Sequence, residues 1–463
     1  MGTRKWSVTA RPLAVGCLLA ILLTVLSVAL LRHLRYGGLS RPFLIHGGSM
    51  APSLKGEHFT EACLDCQFPV HVAVDLLADP QWLTCPNCGY RKTPLDGSKR
   101  QPGERVWIDR WARSLNRLRR WDPVAFHHRF GDESSSQHRQ LAVKRVIGLP
   151  GEQIEIASGE IYANGTLVRK SMEQFREMSI LLFDTYYRPG ETKEIPDRFQ
   201  PVGPGSRWQR LATGYQFEDP RVTDSTSPPQ SSSELDHLLY QHWACMAHQV
   251  PWKDRTATSR IVDHYPYNHG LSRGQLLPVS DLLFKCSLTI GDNGLLIISL
   301  FSEGDCFEVW FDLNTERYEL RRNADSIASG AFLHGLKRTS HELEFAVVDQ
   351  QVILVVNGRS WLRQPFSPGD VTEAVALPAL DAEHPLMIAA RDLELQIHRM
   401  RLYRDIYWTG PSHTAQKWQV KGRLQPNEYL LLGDNVPVSD DCRQWGQGIL
   451  RKAILGKVIE NKR

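Results

Sequence analysis

Three short stretches carry residue types that could do chemistry. In Phe43-Leu44-Ile45-His46-Gly47-Gly48-Ser49-Met50, a small hydroxyl sits in a tight turn after a short apolar strand. Such a turn can expose a nucleophile and aim backbone N–H groups at a developing oxyanion. The second stretch is Leu141-Ala142-Val143-Lys144-Arg145-Val146-Ile147-Gly148. Period-two alternation puts Ala142, Lys144 and Val146 on one face of a strand. A lysine there either snorkels to solvent or is desolvated, and desolvation lowers its pKa from ~10.4 by as much as ~3–5 units. A lysine that is neutral near pH 7 can take a proton from serine. The third stretch is Gly433-Asp434-Asn435, followed by Ser439, Asp441, Arg443, Trp445 and Gly446. Asp441 and Arg443 alternate along an extended segment and could pair beneath Ser439. Gly291-Asp292-Asn293 repeats the tripeptide without that continuation and reads as a plain turn.

A fourth constellation is Cys63-x2-Cys66 and Cys85-x2-Cys88, with 18 residues between the pairs. This spacing suits a zinc ribbon, in which two tight turns each give two thiolates to a tetrahedral, purely structural zinc. Disulfides are the competing reading, and C-x2-C pairs bridge poorly in structural roles. His127, His128 and His138 lack a third ligand class at useful spacing and read as strand-end and loop residues.

Stepping outward, 463 residues with 42% hydrophobic and 23% charged side chains fit a large globular chain of about three domains. A net charge of +4 is too small to argue for nucleic acid. Residues 12–31 form an uncharged apolar run of about 30 Å as a helix, the length of a bilayer core, so a single-pass anchor is expected. Arg4, Lys5 and Arg11 balance Arg32, Arg35 and Arg41 across it, so flanking charge does not set an orientation. The basic stretch Arg110–Arg120 reads first as a solvated face and second as a contact with anionic lipid. Short strands with alternating polarity recur from 103 to 170 and again from 281 to 409, the latter in the manner of a sandwich. Residues 222–235 read as a Ser/Pro-rich surface loop.

The boxes GGSMAPSLKG, GERVWIDR through RRWDPVAF, VKRVIGLPGEQIEI and GDNVPVSDDCRQWG, in this order, resemble those of the type I signal peptidases (leader peptidases). The resemblance covers about 33–59, 103–170 and 420–460. It implies a serine endopeptidase that removes signal peptides from secretory preproteins and cuts after small residues at −1 and −3. Ser49 would be the nucleophile and Lys144 the general base, with no catalytic cofactor. Ser439 would orient the lysine, Asp441 and Arg443 would buttress that loop, and Asp434 would hold the Gly-Asp-Asn turn. The peptide would lie as an added strand between Phe43, Ile45 and His46 on one side and Ala142 and Val143 on the other. Ser49 Oγ and Lys144 Nζ would approach within about 2.6–3.2 Å, or somewhat farther apart without substrate. Family analogy places a short amino terminus in the cytoplasm and the catalytic part outside the cell membrane. Gly47, Val436 and Cys442 depart from common family residues without removing the dyad.

The expected architecture is therefore mainly β. Residues 1–32 are the tip and anchor, and 33–59, 99–172 and 420–463 are three parts of one catalytic domain. A zinc-ribbon-like insertion fills 60–98. Residues 173–419 resemble a concanavalin-like or laminin-G-like jelly roll with room for a glycan or protein ligand. Cys245, Cys286 and Cys306 lie in that block, an odd number that leaves simple pairing incomplete. Two rival readings are a catalytically silent scaffold for that jelly roll and a surface carbohydrate-active enzyme.

Overall fold

From residue 282 to 404 apolar side chains recur at every second position, and these stretches form strands that bury one face. Phe284, Cys286, Leu288 and Ile290 of the strand Leu282–Ile290 are buried, as are Leu296, Ile298 and Leu300 of Leu295–Ser302. Both sets meet in one core, so the two sheets that carry them are stacked as a sandwich. One sheet has eight strands, with Glu394–Arg404 and Leu282–Ile290 at its centre. The other has seven, with Leu386–Arg391 and Leu295–Ser302 at its centre. Every pairing in both is antiparallel. In this computed structural model residues 10–36, 42–75, 82–114, 118–129, 139–189, 197–219, 234–243, 245, 257–269, 276–332, 339–369, 380–411 and 416–460 are described. His138, the acidic-polar loop before it and nearly all of the Ser/Pro-rich loop at 222–235 lie outside them.

A second seven-stranded antiparallel sheet is assembled from three separate parts of the chain. Its order is Pro42–Leu44, Arg105–Asp109, Ile454–Glu460, Pro123–Arg129, Arg139–Gly148, Glu428–Leu432, Ile449–Leu450. Val124, Phe126, Val146, Ile147 and Leu430–Leu432 build its core. A hairpin, Ile154–Ala157 with Glu160–Ala163, extends from it and turns at Ser158-Gly159, and Asn164-Gly165 makes the next turn into Thr166–Leu167; all four turn residues adopt positive φ. The strand Lys417–Gln419 pairs with that hairpin, so the chain rejoins this part just before residue 420.

Two findings correct the reading of the amino terminus and of the basic stretch. Residues Ala10–Tyr36 are helical. Among the described residues, however, no helix is long and apolar enough to cross a membrane, which overturns the single-pass membrane localisation. In the basic stretch, Arg113 donates to the Ile454 carbonyl, and Arg120 pairs with Glu152 at 2.6 Å. Both guanidiniums are thus bonded within the protein rather than left as a wholly solvated face.

Candidate active site

The strand Arg139–Gly148 pairs with Pro123–Arg129 from Arg139 to Arg145 but with Glu428–Leu432 only from Arg145 to Gly148. Among the described residues Leu141–Lys144 therefore has no strand partner on that side and presents an open backbone edge. Lys144, opposite Val124, is 3% exposed. Burial pushes its ammonium down from the ordinary 10.5 to about 8. Asp441 pulls it back up and Arg443 pushes it further down. Its Nζ donates a 2.8 Å hydrogen bond to Ser439 Oγ, and the Ser439 hydroxyl donates to Asp441 Oδ2 at 2.7 Å.

Asp441 is the hub of this loop. It caps the one-turn helix Cys442–Trp445, accepting from the Arg443 N–H while Gln444 reaches back to its own N–H. Its carboxylate also takes the Gly433 N–H at 3.0 Å and the Arg443 guanidinium at 2.7 and 2.8 Å. Burial alone would raise the Asp441 pKa. Arg443 and its hydrogen bonds, with the charge of Lys144, outweigh that and hold it below the usual range. The pairing with Arg443 thus arises from a helix cap, where the sequence pattern suggested an extended segment.

The Gly433-Asp434-Asn435 turn joins this loop to the serine. Asp434 makes a fully buried, two-pronged ion pair with Arg145, the residue after the lysine, with Nε to Oδ1 at 2.7 Å. Asn435 donates its backbone N–H to the Ser49 carbonyl at 3.0 Å and its amide to the Gly48 carbonyl at 2.9 Å. Gly433 must be glycine for lack of room: a Cβ there would lie 2.2 Å from Ser439 Oγ and 2.6 Å from the Ser49 carbonyl oxygen. Val436, one of the three departures from the family boxes, is buried in the apolar core.

Ser49 is half-buried and lines, with Lys144, an open cleft of about 370 Å³. Phe43, Ile45, His46, Ala142 and Val143 line the same cleft, although three strands lie between Pro42–Leu44 and Arg139–Gly148 in the sheet order. The close approach expected between Ser49 Oγ and Lys144 Nζ is not among the hydrogen bonds of the described residues. Nζ is held on the Ser439 side instead. Arg145, Tyr265 and Asn268 were not singled out by sequence reasoning. Tyr265 and Asn268, from the inserted block, bond to Asp434 and Asn435. His128 stacks on Trp445 with ring centroids 3.9 Å apart, and among the described residues it belongs to none of the groups that could hold a metal.

Away from the cleft, Cys63, Cys66, Cys85 and Cys88 are buried and unpaired, with sulfurs within 4.8 Å of one another. Two of the separations are 3.6 and 3.7 Å. These are far too long for a disulfide of ~2.05 Å. They match the edge of about 3.8 Å expected for a tetrahedron with metal–sulfur arms of ~2.3 Å. Each pair sits in a tight turn, closed by Gln67 N–H to the Cys63 carbonyl and by Gly89 N–H to the Cys85 carbonyl. The cluster can hold a metal with no ligand position left open. Cys245 is half-buried beside it, while Cys286 and Cys306 are buried apart, and all three are free thiols.

Residues 97–205, under a quarter of the chain, match the family model described as signal peptidase, peptidase S26. The matched stretch contains Lys144 and Arg145 but neither Ser49 nor the Gly433-Asp434-Asn435 turn. No curated protein matches the chain. Among solved structures, it is similar to a carbohydrate-binding module, CBM66, from Bacillus subtilis. The identity is 9% over 43% of this chain and 92% of that one, with a TM-score of 0.26. Bacillus licheniformis β-glucanase is similar at 7% identity over 48% and 97% of the two chains, with a TM-score of 0.27. Caenorhabditis elegans galectin LEC-6 is similar at 11% identity over 27% and 83%, with a TM-score of 0.21.

Proposed function

We propose that this chain is a serine endopeptidase of the signal peptidase type, acting on secretory preproteins through Ser49 and Lys144. The observation that carries the reading is the state of Lys144. It is buried, pushed down to about 8, and set in one cleft with a half-exposed serine. Near neutral pH a tenth or so of such a lysine is already the free amine, against well under one per cent at ~10.4. The free amine would take the Ser49 proton as the hydroxyl attacks the scissile carbonyl, and the resulting ammonium would give a proton to the leaving amine. Ser439 and Asp441 would hold Nζ between these steps, and the Ser49 backbone N–H would face the oxyanion.

The open edge at Leu141–Lys144 and the strand Pro42–Leu44 offer main-chain partners to an extended peptide. Side chains at −1 and −3 would point into the floor between Phe43, Ile45, Ala142 and Val143, which favours small residues. Cys63, Cys66, Cys85 and Cys88 would hold a structural zinc outside this chemistry. The test is incubation of a secretory precursor with the purified chain and product masses to locate the cut. Cleavage after a small residue supports the reading; an inert chain, or one that cuts elsewhere, refutes it.

A further inference from the structure

By sequence the segment 257–269 belongs to the inserted sandwich, yet its end lies against the serine turn. It is fastened to the sandwich first. Asp263 and Leu277 exchange hydrogen bonds, with the Asp263 N–H on the Leu277 carbonyl at 3.0 Å and the Leu277 N–H on Asp263 Oδ1 at 2.7 Å. Arg404, buried at the end of the strand Glu394–Arg404, donates to the His264 carbonyl at 2.6 Å, and its guanidinium lies 4.9 Å from the centre of the Tyr265 ring. Beyond that anchorage the segment reaches across. The Tyr265 hydroxyl donates to the Asp434 carbonyl at 2.8 Å. Asn268 and Asn435 form a reciprocal amide pair at 2.8 and 2.6 Å, and Tyr267 packs on Ala51 and Ala73.

The Asn435 amide has two protons and an oxygen to place. One proton goes to the Gly48 carbonyl and the other to Asn268 Oδ1, while Asn435 Oδ1 receives the Asn268 amide. Asn268 is therefore the group that fixes which way this amide faces. Without it the side chain can turn, and the grip on the carbonyl preceding Ser49 is lost. We propose that the inserted sandwich is a working part of the active site, with Asn268 and Tyr265 as positioning residues that set the placement of Ser49. The proposal rests on Ser49 being the nucleophile. It makes full turnover depend on the insertion, although none of the insertion's described residues lines the cleft.

The test compares Asn268→Ala, Asn435→Ala, the double variant and Tyr265→Phe with the wild-type chain for kcat, KM, pH profile and melting temperature. Misplacing a reacting group by about 1 Å can cost about 100-fold. Asn268→Ala should therefore lower kcat by about 10- to 100-fold with KM unchanged, and the double variant should be no slower than Asn435→Ala. The midpoint of the rising pH limb should stay at the wild-type value, because Asn268 does not touch Lys144. Wild-type kcat in Asn268→Ala overturns the proposal. So does a loss that comes with a limb shifted towards the ordinary lysine range, since Asn268 would then only be sealing the core around Lys144. If Asn268→Ala fails to fold, Tyr265→Phe removes a single hydroxyl and must by itself lower kcat; an unchanged kcat there is equally fatal. A failure of the peptidase reading is distinct: wild type would then be as inert as Ser49→Ala, and both proposals would fall together.

Discussion

Replacing Lys144 with methionine should make the folded chain more stable at neutral pH while abolishing catalysis. The sign follows from where the proton resides. At pH 7 the lysine is mostly protonated in the folded chain, at about 8, and fully so in the unfolded chain, at the ordinary 10.5. The folded state therefore keeps a charge that burial disfavours. At about 1.36 kcal/mol per pH unit, the displacement corresponds to about 3 kcal/mol of lost stability. Between pH 8 and 10.5 the unfolded chain binds more protons than the folded one, so wild-type stability rises with pH and the deficit closes. Methionine has similar length and no charge, and the Ser439 hydroxyl keeps its acceptor in Asp441. Urea unfolding of both chains at pH 6.5, 8 and 10.5 reads the effect directly. The variant should gain about 3 kcal/mol at pH 6.5, less at pH 8 and nearly nothing at pH 10.5. Equal stabilities at pH 6.5, or a variant weaker at every pH, would refute the claim that Lys144 is desolvated.

Other consequences are open to measurement. If the free amine of Lys144 is the general base, kcat/KM should climb tenfold per pH unit below about 8 and level off above it, a limb that steady-state assays from pH 6 to 9.5 would resolve. Asp434→Ala would leave the Arg145 guanidinium buried without its ion-pair partner, at a cost of about 3–5 kcal/mol, visible as a marked drop in the urea midpoint. Metal analysis of the purified chain should find about one zinc per chain. Its removal by chelator should expose four titratable thiols and loosen the cluster of Val70, Val72, Leu83 and Trp243 around them, read by tryptophan fluorescence.

How much of this was legible in the sequence depended on how local the signal was. Ser49, Lys144 and Ser439 sit in compact boxes whose residue types single them out as candidates, and the sandwich strands follow from alternation that two stacked sheets require. The cysteine pairs declared their tight turns through spacing alone. What stayed hidden depends on distant pairings. Arg145 meets Asp434 from 289 positions away, and Asn268 meets Asn435 from 167, with no periodic pattern to connect them. Asp441 is a different case. Its capping box with Gln444 was written in the sequence, and the alternation of Asp441 with Arg443 masked it. The amino-terminal run shows the limit of composition, since an apolar stretch of bilayer length did not yield a described helix able to span one.

The central claim is that Ser49 and Lys144 act together on a peptide bond. Its most direct test is cleavage of a secretory precursor by the purified wild-type chain beside Ser49→Ala and Lys144→Met, with product masses fixing the site. The account predicts one cut after a small residue by wild type and none by either variant, although Lys144→Met is the more stable protein. Cleavage that survives in Ser49→Ala would contradict it.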